Sequence, residues 1–291
     1  MAAASASGAA AASAAAGWGG LLFGLILSRF GIGGALVLLL GYCALSSLGG
    51  GSGFGVSGPP AVAPHQASRS AAGGGSACTA DAASRLSCQV LASTEDTWQA
   101  LLARGGARYA PTTLVFYARA DQSGCGAAQS AMGPFYCPSD GKIYLDTGFY
   151  DELQNRFGAA GDFAQAYVIA HEVGHHIQDL TGTLARVQGQ QQALSSKAGN
   201  ALQVKVELQA DCYAGVWAAN AKDRQGRPLL EPGDVEEGLR AAAAIGDDTL
   251  QRQSQGYVVP DSFTHGSSAQ RVQWLRKGLE SGDPAACDTF S

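Results

Sequence analysis

The stretch His171-Glu172-Val173-Gly174-His175 constrains this chain more than any other. It lies within Asp162 to Leu180, DFAQAYVIAHEVGHHIQDL, which opens on a capping aspartate and stops before Thr181 and Gly182, so the pattern predicts a helix. Residues four apart on a helix lie one turn along the same face. The two imidazoles can therefore converge on one metal ion while Glu172 stands beside them as a base, an arrangement that suits zinc. The bland alternative is a solvent-facing helix with incidental histidines, and the apolar surroundings of the motif weigh against it.

A hydrolytic zinc takes three protein ligands and keeps one position open for water. Leu202 to Asn220 predicts a second long helix, and it carries Glu207 and Asp211 one turn apart. Glu207 is expected to ligate the ion. Asp211 is expected to accept a hydrogen bond from the distal ring nitrogen of His171 and so fix its tautomer. The neighbours Leu208, Ala210, Cys212, Tyr213 and Val216 make this a mostly buried helix, where unpaired carboxylates are costly. His176, His265, Asp247 and Asp248 are rival third ligands. His176 points about 100° around the helix from His175 and reads as a packing or capping residue. His265, in a loop just before a predicted helix, is placed to donate to the oxyanion of a tetrahedral intermediate, with Arg271 adding charge or orienting it. A surface histidine ahead of a helix is the plainer reading, and both stand. His65 is given no role.

The rest of the chain sets the context. Hydrophobic residues make up 46% and charged residues 15% of the 291, which excludes a wholly disordered protein and a coiled coil. A formal net charge of −5, with no basic patch interleaved with aromatics, excludes nucleic acid as the expected partner. Residues 1–28 are uncharged and rich in Ala, Gly and Ser, read as a disordered tail. Residues 29–48 hold Arg29 and then FGIGGALVLLLGYCALSSL, long enough for a single transmembrane helix. A cleavable secretory signal competes with that reading. Arg29 on the N-terminal flank puts the N-terminus in the cytoplasm, and so the rest of the chain outside the bacterial inner membrane. Residues 49–77 are rich in Gly, Pro and Ser and read as a flexible tether, leaving residues 78–291 as the folded domain.

Six cysteines follow the apolar segment, an even number that fits an oxidising compartment. Cys78 with Cys88 and Cys125 with Cys137 are close enough to close short loops, which leaves Cys212 with Cys287 among the fifteen possible pairings. Helical spacing is predicted over Asp81 to Arg104, with a possible break at Ser93 and Thr94, and over Asp234 to Leu250 and Ser267 to Glu280. Strands are predicted at Thr112 to Ala118 and Lys142 to Leu145, the latter as the edge of a cleft that pairs with an extended substrate. Gln188 to Asn200 reads as a loop or an exposed helical turn.

From Cys125 to Phe290 the sequence resembles the predicted bacterial neutral zinc metallopeptidases, through GDFAQAYVIAHEVGHHIQ, ELQADCYAGVWA, AAAAIGDD, VPDSFTHGSSAQRVQW and SGDPAACDTF. The resemblance implies a membrane-anchored, zinc-dependent peptidase acting on peptides or proteins. HEVGH followed by ELQAD is similar to the gluzincin arrangement, which implies Glu207 as third ligand. THGSSAQR is similar to the threonine-histidine-proline segment with a following arginine of membrane-associated gluzincins, carried here by His265 and Arg271, with Gly266 replacing the proline. The fold expected is α+β: a zincin-like metallopeptidase domain, mainly helical with a small sheet, preceded by one transmembrane helix. A zinc-bound envelope scaffold that no longer cleaves, and a hydrolase of a non-peptide amide, are the competing functions.

Overall fold

The computed structural model describes residues 69–70 and 76–291. The expected tail, the anchor at 29–48 and most of the tether lie outside these residues. Among the described residues, no helix is long and apolar enough to cross a membrane.

The expected α+β class holds, with helices predominating over a small sheet. Strand β1 (Arg69–Ser70) is followed by a 3-10 turn (Ser76–Thr79) and helix α1 (Ala82–Arg104), whose N-cap Asp81 accepts from the Ser84 N–H at 2.6 Å. Because β1 pairs with the next strand and Ala77 is buried, the folded unit begins inside the segment read as tether, ahead of Cys78. Strands β2 (Thr113–Phe116), β3 (Ala120–Ser123), β4 (Gly126–Gln129), β5 (Phe135–Cys137) and β6 (Lys142–Leu145) come next. The helices that follow are α2 (Gly148–Asn155), α3 (Asp162–Leu180), α4 (Thr183–Gln191) and α5 (Ser196–Asn220). The chain closes with α6 (Asp234–Ala244), α7 (Asp247–Gln255) and α8 (Ser268–Ser281).

The main sheet has the order β1-β2-β6-β5, with β2 and β6 parallel and the other two pairs antiparallel. This corrects the expectation for Lys142 to Leu145: that strand is internal, held on both sides, and its backbone donors are committed to neighbours. The edges are β1 and β5, and β5 is the one that meets α3. Both faces of β2 and β6 are covered, as their nearly continuous apolar sequences require. Leu114, Phe116, Ile143 and Leu145 face the main core, while Val115, Tyr117 and Tyr144 face a smaller cluster with Ala128 of the β3–β4 hairpin and Cys137. The expected strand at Thr112 to Ala118 is thus shorter at both ends.

Helix α3 runs through the main core, in contact with α1, α5, α6 and β5. Its crossing with α5 is close because position 174 is glycine: a Cβ there would lie 2.9 Å from the Ala210 carbonyl oxygen and 3.0 Å from its Cα. Ala210 lies between Glu207 and Asp211, so this contact seats both carboxylates opposite the motif. Helices α5 and α8 meet through a pair of glycines. A Cβ on Gly215 would be 2.2 Å from the Leu275 carbonyl oxygen, and one on Gly278 would be 2.0 Å from that of Cys212. One turn nearer the site, the same crossing joins Asp211 to Arg271.

Three disulfides tie the unit: Cys78 to Cys88, Cys125 to Cys137 and Cys212 to Cys287. The last spans a sequence separation of 75, and closing a loop of that size restricts the unfolded chain by about 4 kcal/mol on a chain-entropy basis. The expected helix over Asp234 to Leu250 is broken at Gly246, where a Cβ would lie 2.3 Å from the Ser268 backbone nitrogen. Most of the glutamine-rich stretch, expected as a loop or an exposed helical turn, is helical, divided between α4 and an earlier start to α5.

Candidate metal centre

His171 and His175 project from α3, and Glu207 comes across from α5. The Glu207 Oε2 lies 3.2 Å from the His171 Nε2 and 3.4 Å from the His175 Nε2. One ligand atom from each of the three lies within 4.8 Å of the others. His171 and Glu207 are buried, and His175 is partly so.

Each of the three is held from behind. The His171 Nδ1 donates to the Asp211 Oδ1 at 2.8 Å, which leaves the Nε2 lone pair facing Glu207. The His175 Nδ1 donates to the Gln178 Oε1 at 2.8 Å, with the same consequence. The second oxygen of Glu207, Oε1, accepts from the Gln203 Nε2 at 3.0 Å, which leaves Oε2 to face the two imidazoles.

Burial opposes a charge on His171, but Asp211 and Glu207 outweigh it and raise the pKa to about 10. Burial works against the Glu207 carboxylate in the same way, yet His175 and His171 hold its pKa well below the usual range. The pocket stabilises positive charge at the two Nε2 atoms, where a proton and a divalent cation compete for the same lone pairs. Two imidazole nitrogens and one carboxylate oxygen, converging in a buried site with oriented partners, are a donor set that fits zinc with a position left for water.

Glu172 is also buried and accepts a hydrogen bond from the Tyr136 backbone N–H of β5. Burial lifts its carboxyl above the ordinary range, against the lowering pull of His171 and His175.

Asp211 is fully buried and serves three groups. Besides His171, it accepts from the Tyr167 hydroxyl at 2.5 Å, and it takes the Arg271 Nε and Nη2 on its two oxygens at 2.9 Å each. Arg271 also donates to the Tyr167 hydroxyl at 3.0 Å and to the Ile245 carbonyl. This corrects the expectation that Arg271 joins His265 as an oxyanion group: its side chain is 3% exposed and committed to Asp211.

His265 remains partly exposed and lies close enough to Glu207 to help lower that carboxyl. Its position is set by Asp247, a rival ligand in the sequence. Asp247 Oδ2 accepts from the backbone N–H groups of Thr264 and His265 at 2.7 Å and of Gly266 at 3.1 Å, while Oδ1 lies 3.2 Å from the His265 Nδ1. The other rivals are placed elsewhere. Asp248 accepts from the Ser268 N–H and pairs with Arg252, and His176 is bonded to the Tyr136 hydroxyl at 3.1 Å and the Ala110 carbonyl at 2.7 Å.

Sequence reasoning missed Gln178, Gln203, Asp247 as a holder of His265, and Tyr167. Tyr167, Gln178 and Gln203 sit three or four residues from a ligand on its own helix, so helical spacing would have found them. Asp247 has no such local signal.

The chain belongs to the family described as "Putative neutral zinc metallopeptidase", which it matches over residues 5–290. Zinc is the cofactor that this membership implies. The chain is 54% identical over 210 residues to the uncharacterized protein YpfJ of Escherichia coli K12, covering 72% of each chain. It is 44% identical over 223 residues to the uncharacterized protein Rv2575 of Mycobacterium tuberculosis H37Rv, covering 73% of each. No solved structure matches it.

Proposed function

We propose that this chain is a zinc-dependent peptidase that hydrolyses peptide bonds, with Glu172 as general base. The observation that carries the reading is the convergence of the His171 Nε2, the His175 Nε2 and the Glu207 Oε2 beside a buried glutamate. Zinc held by those three residues supplies a Lewis acid that acidifies water and polarises the scissile carbonyl. Glu172 takes the proton of the attacking water on its carboxylate and passes it to the leaving amine nitrogen. His265, steadied through its Nδ1 by Asp247, presents its other ring nitrogen for donation to the oxyanion. Asp211 holds His171 in the tautomer that keeps the Nε2 lone pair available, and Arg271 neutralises Asp211.

We place the domain outside the cytoplasmic membrane of a bacterium, carried by the apolar segment at 29–48. Three disulfides within the domain support an oxidising compartment. The intact Glu172 favours an enzyme over a scaffold.

The test is cleavage of a general protein substrate such as casein by the full chain. Cleavage is expected to stop on treatment with 1,10-phenanthroline and to return on addition of zinc. Cleavage that continues undiminished in the chelator would overturn the zinc-dependent reading, and absence of cleavage by zinc-loaded protein would overturn the peptidase reading.

A further inference from the structure

His171 and His175 are both oriented through Nδ1, but by different means. Behind His171 stands a carboxylate with its arginine. Behind His175 stands a neutral chain of two amides, and that chain leaves the site altogether. The Gln178 Nε2 donates to the Val206 carbonyl at 2.7 Å and to the Gln209 Oε1 at 3.1 Å, and the Gln209 Nε2 donates to the Cys287 carbonyl at 3.0 Å.

The polarity of this chain is fixed by its ends. Backbone carbonyls only accept hydrogen bonds, so the amide nitrogens of Gln178 and Gln209 must face Val206 and Cys287. The Gln178 oxygen then has to face the His175 Nδ1, at 2.8 Å, and an amide oxygen also only accepts. The neutral imidazole is left one tautomer, with hydrogen on Nδ1 and the lone pair on Nε2. Gln178 is fully buried and Gln209 is 7% exposed, so little water competes for these bonds. The far end is anchored as well. Cys287 is disulfide-bonded to Cys212 of α5, and the Thr289 hydroxyl donates to the Lys205 carbonyl on the same helix at 2.7 Å.

We propose that Gln178 and Gln209 are positioning residues that fix His175 for metal binding and brace it against the disulfide-anchored C-terminal turn. The inference rests on the reading of His171, His175 and Glu207 as metal ligands. It gives the C-terminal disulfide, remote in sequence from the motif, a direct line to one of the ligands.

The test is zinc affinity by chelator competition, with the visible spectrum of the cobalt-loaded protein as a readout of ligand geometry. Gln178→Leu is expected to weaken zinc binding by about 10–100-fold, the usual range for loss of a ligand's orienting partner, and to alter the cobalt spectrum. Gln178→Glu keeps an acceptor for the Nδ1 hydrogen but sets a carboxylate against the Val206 carbonyl and the Gln209 oxygen. A positioning role predicts tighter zinc binding by Gln178→Glu than by Gln178→Leu even where the glutamate variant melts lower; a packing role predicts no such recovery. Gln209→Leu leaves the bond from Gln178 to Val206 in place and is expected to weaken zinc binding severalfold, and it carries the test alone should the Gln178 variants fail to fold. Folded Gln178→Leu or Gln209→Leu protein with parental zinc affinity and cobalt spectrum would overturn the inference, as would Gln178→Glu binding no better than Gln178→Leu. If the unaltered chain takes up no zinc, the metal-centre reading falls and this inference with it; parental zinc uptake with indifferent variants overturns this inference alone.

Discussion

Glu172→Gln protein is expected to retain zinc at the parental stoichiometry while turnover falls by about 10³-fold, within the range that a positioned general base contributes. The substitution preserves the size of the side chain and an oxygen able to accept from the Tyr136 N–H of β5. It removes only the basic oxygen that can hold a proton between water and amine. Its separation of effects follows from the geometry, because Glu172 stands outside the group formed by His171, His175 and Glu207. Turnover and zinc content measured on the same preparation check it. Activity within tenfold of the parent would remove Glu172 from the role of base, and loss of zinc would make it part of the metal centre.

Arg271→Met protein is expected to be the least stable of the variants. Asp211 is fully buried and has Arg271 as its cationic partner, with two nitrogens of one guanidinium on its two oxygens. Removing that partner takes two charge-assisted hydrogen bonds from the buried carboxylate and leaves the His171 imidazole as its remaining cationic neighbour, a loss of about 3 kcal/mol, at the low end for breaking a buried ion pair. For a domain of this size, each kcal/mol moves the melting temperature by roughly 2–4 °C, so a fall on the order of 10 °C is expected. Arg271→Lys should fall between parent and Arg271→Met, since an ammonium restores charge without the planar fork that also reaches Tyr167. Calorimetric melting of the metal-free proteins is the measurement. A melting point for Arg271→Met within two or three degrees of the parent would show that the pair carries little of the stability.

The parts of this site that were legible in the sequence are the local ones. His171 and His175, and Glu207 and Asp211, are each one helical turn apart, so spacing alone places each pair on a common face. What spacing does not give is which distant groups complete them. Arg271 lies 60 positions from Asp211, and a sequence shows its charge but not that the charge is buried. An arginine in a loop-proximal helix looks ready for substrate until the α5–α8 crossing, set by Gly215 and Gly278, turns it inward. Gln178 and Gln203 were in view on the right faces, but glutamine is an ordinary helix residue and carries no chemical flag.

The same distinction runs through the fold. The parallel partners β2 and β6 are visible as TLVF and KIYL because apolar and β-branched residues dominate them. The hairpin strands ADQS and GAAQ have no such composition, and they exist through pairing with each other and the disulfide from Cys125 to Cys137. The helical pattern from Asp234 to Leu250 is continuous in sequence, and only the approach of Ser268 to Gly246 explains why the helix breaks there. Tertiary contact decides these cases.

The central claim, that two imidazoles of α3 and one carboxylate of α5 hold a zinc ion, is tested most directly by counting metal. Atomic absorption of the dialysed full chain is expected to give one zinc ion per chain, and the Glu207→Ala variant, with its fold verified by circular dichroism, is expected to lose it. A dialysed parent without zinc, or a folded Glu207→Ala protein that keeps zinc with parental affinity, would contradict the account.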